Sequence, residues 1–94
     1  MSVNLHILIA EDDEFLSALL QAQCGSLGFS STAVANGELA VSAALSYQYD
    51  VLLMDIQMPV CDGIAAMTLL RQLGYERPII AMSSDDVQAE GFDK

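Results

Sequence analysis

Basic side chains are nearly absent from this sequence of 94 residues. Arg71, Arg77 and Lys94 stand against 13 acidic residues, which gives a formal net charge of −10 at pH 7. A surface with that balance repels the phosphate backbone of a nucleic acid. The composition therefore argues against direct binding to DNA or RNA.

Long apolar runs are missing as well. The aliphatic stretches at 5–10 and 51–54 are far shorter than the roughly 20 apolar residues that span a bilayer. No positively charged segment precedes an apolar run near the start of the chain, so we expect no signal peptide. We expect a cytoplasmic protein with no membrane segment.

Cysteine is scarce too. Cys24 and Cys61 are far apart, and no CxxC spacing is present. This arrangement predicts free thiols in a cytosolic setting, with a disulfide or a shared metal as the weaker alternative.

The length predicts a single domain over residues 1–94. A hydrophobic fraction of 53% is high for so small a domain. It indicates secondary structure that is buried on both faces, as in a parallel α/β sheet.

Short apolar runs alternate with helical patterns along the chain, which is typical of repeated βα units around a parallel sheet. The predicted strands are 5–10, 31–35, 50–55 and 79–82. The predicted helices are 13–27, 38–47 and 63–73, with a shorter one over 84–90.

The first predicted helix carries four apolar side chains at helical spacing, and we expect them to form one stripe against the sheet. They are Phe15, Leu16, Leu19 and Leu20. On the second helix, Ala40, Ala43 and Ala44 predict close packing. Gly28 and Gly74 follow the first and third helices, where a left-handed cap favours glycine.

Acidic residues follow two of the predicted strands. Glu11 and Asp12 come after the first strand, and Asp55 ends the third. Ligands of open α/β sheets bind at the carboxyl ends of the strands. If these strands are neighbours, the carboxylates converge, and their like charges raise one another's pKa unless a cation joins them. Mg²⁺, or Mn²⁺ in its place, fits such oxygen ligands and lets a carboxylate act as a nucleophile toward phosphorus.

Three segments resemble the response-regulator receiver family of two-component signalling. They are ILIAEDD at 7–13, DVLLMDIQMPVCDG at 50–63 and PIIAMS at 78–83. The resemblance runs along essentially the whole chain, and the D-x-x-M-P-x-x-D-G pattern is highly specific. The sequence is especially similar to receivers attached to hybrid sensor histidine kinases.

The resemblance implies a flavodoxin-like, doubly wound parallel sheet. The strand order would be 2-1-3-4, with the family's fifth strand and fifth helix missing from this chain. In the family that fifth strand carries a lysine that pairs with the phosphoryl group. Lys94 falls a few positions short of this lysine and is not assigned its role.

The resemblance also implies a role for each matching residue. Asp55 matches the phosphoacceptor, and Glu11 and Asp12 match the acidic pair that holds the metal. Gln57 would offer a backbone carbonyl to the metal, and Ser83 a hydroxyl to a phosphoryl oxygen. The residues that shape the loop would be Pro59, Asp62 and Gly63.

The implied function is regulatory and not enzymatic. Asp55 would take a phosphoryl group from a sensor histidine kinase or a histidine phosphotransfer protein. An alternative is a degenerate receiver-like interaction module that does not turn over phosphate, which the unmatched lysine favours. A phosphatase with an aspartate nucleophile would need an acid where Gln57 stands. A flavin-binding relative would need Gly, Ser or Thr in the first loop.

Three remaining features are interpreted structurally. Asp13 and Glu14 are first-turn acids that favour the positive end of a helix dipole. His6 lies near the start of a strand, away from the site. The strand at 79–82 would be an apolar sheet edge, so we expect self-association, by strand pairing or by segment exchange, or else marginal stability.

Overall fold

The computed structural model describes residues 4–56 and 63–82, which alternate between strand and helix. The strands are β1 (His6–Ala10), β2 (Ser30–Val34), β3 (Val51–Asp55) and β4 (Ile79–Met82). The helices are α1 (Glu14–Ser26), α2 (Gly37–Ser46) and α3 (Gly63–Gln72). The predicted helix at 84–90 lies outside the described residues.

The four strands form one parallel sheet in the order β2-β1-β3-β4. This order confirms the predicted 2-1-3-4 arrangement. The strand ends are level with one another, because Ala10 is in register with Met54, and Asp55 with Met82. The residues that follow β1 therefore meet the end of β3 at one edge of the sheet.

Both faces of the sheet are covered. Leu8, Leu52 and Met54 lie in the larger core, beneath α2 and α3. Ile7 and Ile9 point to the opposite face, where Cys24 of α1 packs against them. Burial on both faces explains why the strands consist of nearly continuous apolar runs.

The alanines of α2 pack as predicted. Ala40 and Ala44 are buried, and Ala43 is partly buried against the same core. Asn36 and Gly37 lie at the start of α2. Asn36 is the N-cap, and its Oδ1 accepts a hydrogen bond from the backbone N–H of Leu39 at 2.8 Å.

The predicted apolar stripe on α1 is wrong for two of its four members. Phe15 is 80% exposed and Leu19 is 45% exposed, whereas Ser17 and Cys24 are buried. A helix turns by about 100° per residue, so 15 and 19 lie almost opposite 17 and 24. Leu20, which lies between the two faces, is partly buried against the sheet.

Glycine ends two of the helices as predicted. Gly28 and Gly74 have φ values of 87° and 90°, in the left-handed region that favours glycine. The second strand begins and ends one residue earlier than predicted, because Ser30 donates to the carbonyl of Leu5 at 2.9 Å and so enters the sheet. No helix in the described part of the chain is long and apolar enough to cross a membrane.

Candidate metal centre

Glu11, Asp12 and Asp55 meet at the carboxyl ends of β1 and β3. One carboxylate oxygen from each lies within 4.8 Å of the others. The pairing of β1 with β3 produces this contact, because it brings the residues after Ala10 alongside the end of β3. The structure thus brings together the three acids that the sequence predicted to converge.

Two of the three acids are removed from water. Glu11 and Asp55 are each 5% exposed, while Asp12 is exposed. Like charges at this separation in a buried setting oppose one another strongly unless a proton or a cation intervenes. An arrangement of this kind costs folding free energy, which indicates a site built for a charged ligand.

The backbone holds the strand ends in place. The N–H of Glu11 donates to the carbonyl of Val34 at 3.0 Å, which fastens it to β2. The Oε2 atom of Glu11 accepts from the backbone N–H of Asp13 at 3.0 Å. On the other side, the N–H of Ile56 donates to the carbonyl of Met82 at 2.9 Å. The carboxylates of Glu11 and Asp55 therefore stand on backbone that neighbouring strands hold in place.

Burial raises the pKa of Glu11 to about 7, from an ordinary value of 4.5. The negative charge of Asp55, a hydrogen bond shared with Asp55 and the charge of Asp12 raise it further, while the bond from the Asp13 N–H lowers it. Near neutral pH, Glu11 therefore exchanges its proton readily. A bound cation would replace that proton and relieve the repulsion.

The donor set fits a hard divalent cation. All three side chains offer carboxylate oxygens, and the exposed position of Asp12 leaves one side of the cluster open to water. Mg²⁺ prefers oxygen ligands and keeps several of its waters, so it suits an open cluster of this type. The arrangement can therefore hold a metal beside the side chain of Asp55.

Gly63 begins α3 directly against the end of β3. A Cβ atom at this position would stand 2.7 Å from the Cα of Ile56 and 2.8 Å from the carbonyl carbon of Asp55, and it would also clash with the Asp55 carbonyl oxygen. Real Cβ atoms do not approach other atoms so closely. Only glycine lets α3 start at this distance from Asp55.

A groove of about 330 Å³ lies next to the acids, between α1 and the end of β2. Ser17 and Gln21 line it from α1, together with Glu11 and Asp12. The sequence did not lead us to predict this groove. The spacing of Glu14, Ser17 and Gln21 could have indicated it, because steps of three and four residues place all three on one helix face.

His6 lies at the opposite end of the sheet, as the sequence predicted. Its backbone N–H donates to Oδ2 of Asp50 at 2.8 Å, and its Nε2 lies 3.1 Å from Oγ1 of Thr32. The ring meets Tyr47 and Tyr49 edge-on, at centroid distances of 5.7 and 4.8 Å. This aromatic cluster connects β1 to the segment that enters β3. The sequence predicted a structural role for His6 but not these partners.

The other predicted site residues lie outside the described residues. They are Gln57, Pro59, Asp62 and Ser83, and the same holds for Met58, Cys61 and Lys94. Cys24 is a free thiol, buried on the side of α1 that faces the sheet.

A model of the response regulator receiver domain matches residues 7–92, and the chain belongs to this family. It functions as a receiver domain of two-component signalling. The sequence is 37% identical over 84 residues to the autoinducer 1 sensor kinase/phosphatase LuxN of Vibrio harveyi. It is 36% identical over 90 residues to a two-component response regulator of Oryza sativa subsp. japonica, covering 92% of this chain and 71% of that protein.

Solved receiver domains share the fold. The receiver domain of a Francisella response regulator superposes with a TM-score of 0.85 and 28% identity, over 90% of this chain and 70% of that one. The receiver domain of a sensor histidine kinase from Pseudomonas aeruginosa gives a TM-score of 0.84 and 36% identity, over 92% of this chain and 72% of that one. That domain carries a magnesium ion coordinated in its active-site cleft.

The similarity to LuxN covers 89% of this chain but only 10% of LuxN. The chain therefore spans about a tenth of the length of that relative. The rice regulator, by contrast, is matched over most of its length.

Proposed function

We propose that Asp55 accepts a phosphoryl group from a phosphohistidine, with a divalent cation held by Glu11, Asp12 and Asp55. The observation that carries this proposal is the convergence of the three carboxylates within 4.8 Å at the carboxyl edge of the sheet. A purely structural strand end has no need of two buried acids that repel each other. A phosphoacceptor needs both a carboxylate nucleophile and a cation beside it.

The transfer forms a bond between a carboxylate oxygen of Asp55 and phosphorus. The bond from phosphorus to the imidazole nitrogen of the donor breaks, and the nitrogen keeps its electron pair. The product is an acyl phosphate on Asp55. Bound Mg²⁺ or Mn²⁺ would supply positive charge for the phosphoryl oxygens as the group passes between the two proteins.

The described residues act by positioning. The bonds from Glu11 to β2 and from Ile56 to β4 hold the two strand ends, and Gly63 keeps α3 close behind Asp55. A nucleophile held in this way loses little freedom during transfer, which lowers the entropic part of the barrier. Asp12 reaches outward and would hold the cation at the open side of the cluster.

Residues outside the described ranges would complete the site. Gln57 would add a backbone carbonyl to the metal ligands, and Ser83 would donate its hydroxyl to a phosphoryl oxygen. Pro59 and Asp62 would shape the intervening loop. These roles follow from the match of each residue to the pattern of the family.

The partner in this exchange would be a sensor histidine kinase or a histidine phosphotransfer protein. The similarity of this chain to part of the sensor kinase LuxN supports a donor of that class. We place the exchange in the cytoplasm, a compartment that suits the free thiol of Cys24. The role is that of a regulated acceptor and not of an enzyme.

Acetyl phosphate, a small phosphodonor, tests the proposal without a kinase. The chain is incubated with it and Mg²⁺, and intact mass is followed with and without hydroxylamine, which cleaves acyl phosphates. We expect one phosphoryl group on the wild type, removed by hydroxylamine and dependent on Mg²⁺. Asp55→Asn should take up none.

Asp50→Asn is the matched control, because Asp50 flanks the same strand at the other end. It should be modified as the wild type is. If the wild type binds Mg²⁺ but is never modified, the chain is a degenerate receiver and the phosphoacceptor proposal is wrong. Modification that persists in Asp55→Asn would place the acceptor elsewhere.

A further inference from the structure

The groove of about 330 Å³ between α1 and the end of β2 contains a hydroxyl group with spare hydrogen-bonding capacity. Ser17, on the α1 wall, is only 9% exposed. Its backbone N–H donates to the carbonyl of Asp13 at 2.9 Å, but its Oγ atom forms no hydrogen bond with any residue that the structure describes. In that part of the chain, Tyr75 Oη is the one unpaired side-chain atom that is fully enclosed. The Ser17 hydroxyl therefore keeps an opening, and it opens into the groove.

Carboxylates surround this hydroxyl. Glu11, Asp12 and Glu14 line the groove, and Gln21 adds an amide further along α1. Glu14, Ser17 and Gln21 follow one another at steps of three and four residues, so their side chains form one polar row on the helix. Glu14 does not belong to the three acids of the metal cluster. The groove therefore has an acidic group that a bound metal would not occupy.

The opposite wall of the groove is apolar. It consists of Ala33, Val34 and Ala35, at the end of β2 and directly after it. A ligand that fills the groove must therefore present hydrocarbon to one wall and hydrogen-bond donors to the other. A long basic side chain has both parts, because its aliphatic stem packs on apolar surface while its charged head stays close to water.

Other classes of ligand do not suit this groove. An anion is repelled by the carboxylates, and Oδ1 of Asp13 already accepts from the backbone N–H groups of Phe15 and Leu16, at 2.9 and 3.2 Å. A second divalent cation lacks ligands, since the metal cluster is the only group of three metal-binding side chains among the residues described. An organic cation with a long stem is the class that matches both walls.

We propose that the groove binds the arginine side chain of a protein that docks at the carboxyl end of the sheet. The guanidinium group donates to the carboxylate of Glu14, to Oγ of Ser17 and to the amide oxygen of Gln21. Its stem packs against Val34. Arginine fits better than lysine, because its five N–H donors form a fixed planar fork that reaches several acceptors at once. Bonds from a guanidinium to a carboxylate are also among the stronger hydrogen bonds of proteins.

The charge and the place of the groove favour an arginine that belongs to a protein. The net charge of −10 attracts a basic surface and speeds its approach. Glu11 and Asp12 line the groove and also belong to the metal cluster, so a protein that covers the cluster covers the groove as well. This inference does not require that Asp55 accepts a phosphoryl group. It applies equally to a receiver that only binds its partners.

Nα-acetyl-arginine amide tests the site, because its arginine is blocked at both ends as it is within a protein. Its binding to the isotope-labelled chain is followed by NMR shifts of the backbone amides in EDTA. We expect the shifts to concentrate on residues 14–21 and 33–35. Nα-acetyl-lysine amide should bind several times more weakly, and the neutral isostere Nα-acetyl-citrulline amide should not bind. If either of these binds as tightly as the arginine derivative, the proposal is wrong.

Two pairs of variants separate the groove from the general negative charge. Ser17→Ala should raise the dissociation constant of the arginine derivative about three- to tenfold, whereas Ser26→Ala, at an exposed position at the end of the same helix, should not change it. Glu14→Gln should raise it more than Glu76→Gln, which lies before β4 at the other end of the sheet. Both of these bring the net charge from −10 to −9. Equal effects within either pair would overturn the proposal. Circular dichroism establishes that all four variants are folded.

Two further comparisons identify the place and the source of the arginine. With saturating Mg²⁺ the blocked derivative should still bind, because the polar row on α1 lies beside the metal cluster and not within it. Complete loss of binding would place the derivative in the cluster itself. Free L-arginine has the same net charge but carries an α-carboxylate that the acids of the groove repel, so it should bind more weakly. Equal or tighter binding of free arginine would indicate a small-molecule ligand and contradict a docking protein.

Discussion

Gly63, the first residue of α3, lies against the backbone of Asp55, the last residue of β3. A methyl group on Gly63 would stand 2.8 Å from the carbonyl carbon of Asp55, closer than real contacts allow. All three atoms nearest that methyl group are backbone atoms of Asp55 and Ile56, which cannot rotate aside as a side chain could. The start of α3 therefore packs directly against the backbone of the proposed nucleophile.

Gly63→Ala should lower both stability and phosphorylation. We expect a loss of about 1–3 kcal/mol in the free energy of unfolding, as for overpacked interiors. The displaced Asp55 backbone should slow labelling by acetyl phosphate. Gly25→Ala is the control, because a Cβ atom there meets nothing within 4 Å. It should be neutral or stabilising, since alanine favours a helix by up to about 1 kcal/mol. Urea unfolding and mass spectrometry report the two effects.

Glu11 should make the metal-free chain less stable as pH rises. Its pKa is raised from 4.5 to about 7 in the folded protein, so the folded state holds a proton that the unfolded state releases. The favourable contribution is complete below about pH 4.5 and is lost as pH rises through about 7. Other groups titrate as well, so the comparison with a variant isolates this residue.

Glu11→Gln should match the wild type near pH 4.5 and exceed its free energy of unfolding by about 1–3 kcal/mol at pH 8, in the presence of EDTA. Glu38→Gln, at an exposed position in the first turn of α2, should show a difference that does not grow in this way. Urea titrations at a series of pH values provide the measurement. A constant difference for Glu11→Gln would mean that burial of Glu11 does not govern its proton.

Mg²⁺ should stabilise the folded chain. A ligand that binds only the folded state adds about 2.7 kcal/mol when its concentration is 100 times its dissociation constant. Asp12→Asn should weaken this effect, because it removes one carboxylate of the cluster. Asp13→Asn should preserve it, since Asp13 is the N-cap of α1. Melting temperatures with Mg²⁺, compared with NaCl at equal ionic strength, separate cation binding from screening.

Asp13 should contribute to the stability of α1 and not to metal binding. Its Oδ1 accepts hydrogen bonds from the backbone N–H groups of Phe15 at 2.9 Å and Leu16 at 3.2 Å. Asp13→Ala should cost about 1 kcal/mol, whereas Asp13→Ser should keep most of the cap. Mg²⁺ affinity by calorimetry should change little in either variant. A large loss of affinity in Asp13→Ser would make Asp13 part of the metal centre.

The sequence by itself determined the order of the elements and the membership of the acidic cluster. Local rules were sufficient for this. Aliphatic runs form the strands, glycine at Gly28 and Gly74 ends two of the helices, and acidic residues stand at the carboxyl ends of β1 and β3. The motif from Asp55 to Gly63 then indicated both the sheet order and the chemistry. The acids converge because parallel strands of matched length end at the same edge.

Only the tertiary structure decided which side chains are buried and what they touch. The periodicity of α1 contains apolar residues on more than one face, so sequence could not show that Phe15 faces solvent while Cys24 meets the sheet. The approach of Gly63 to Asp55 depends on how α3 packs beneath β3. These contacts join residues that are distant in the chain, and local propensities do not encode them.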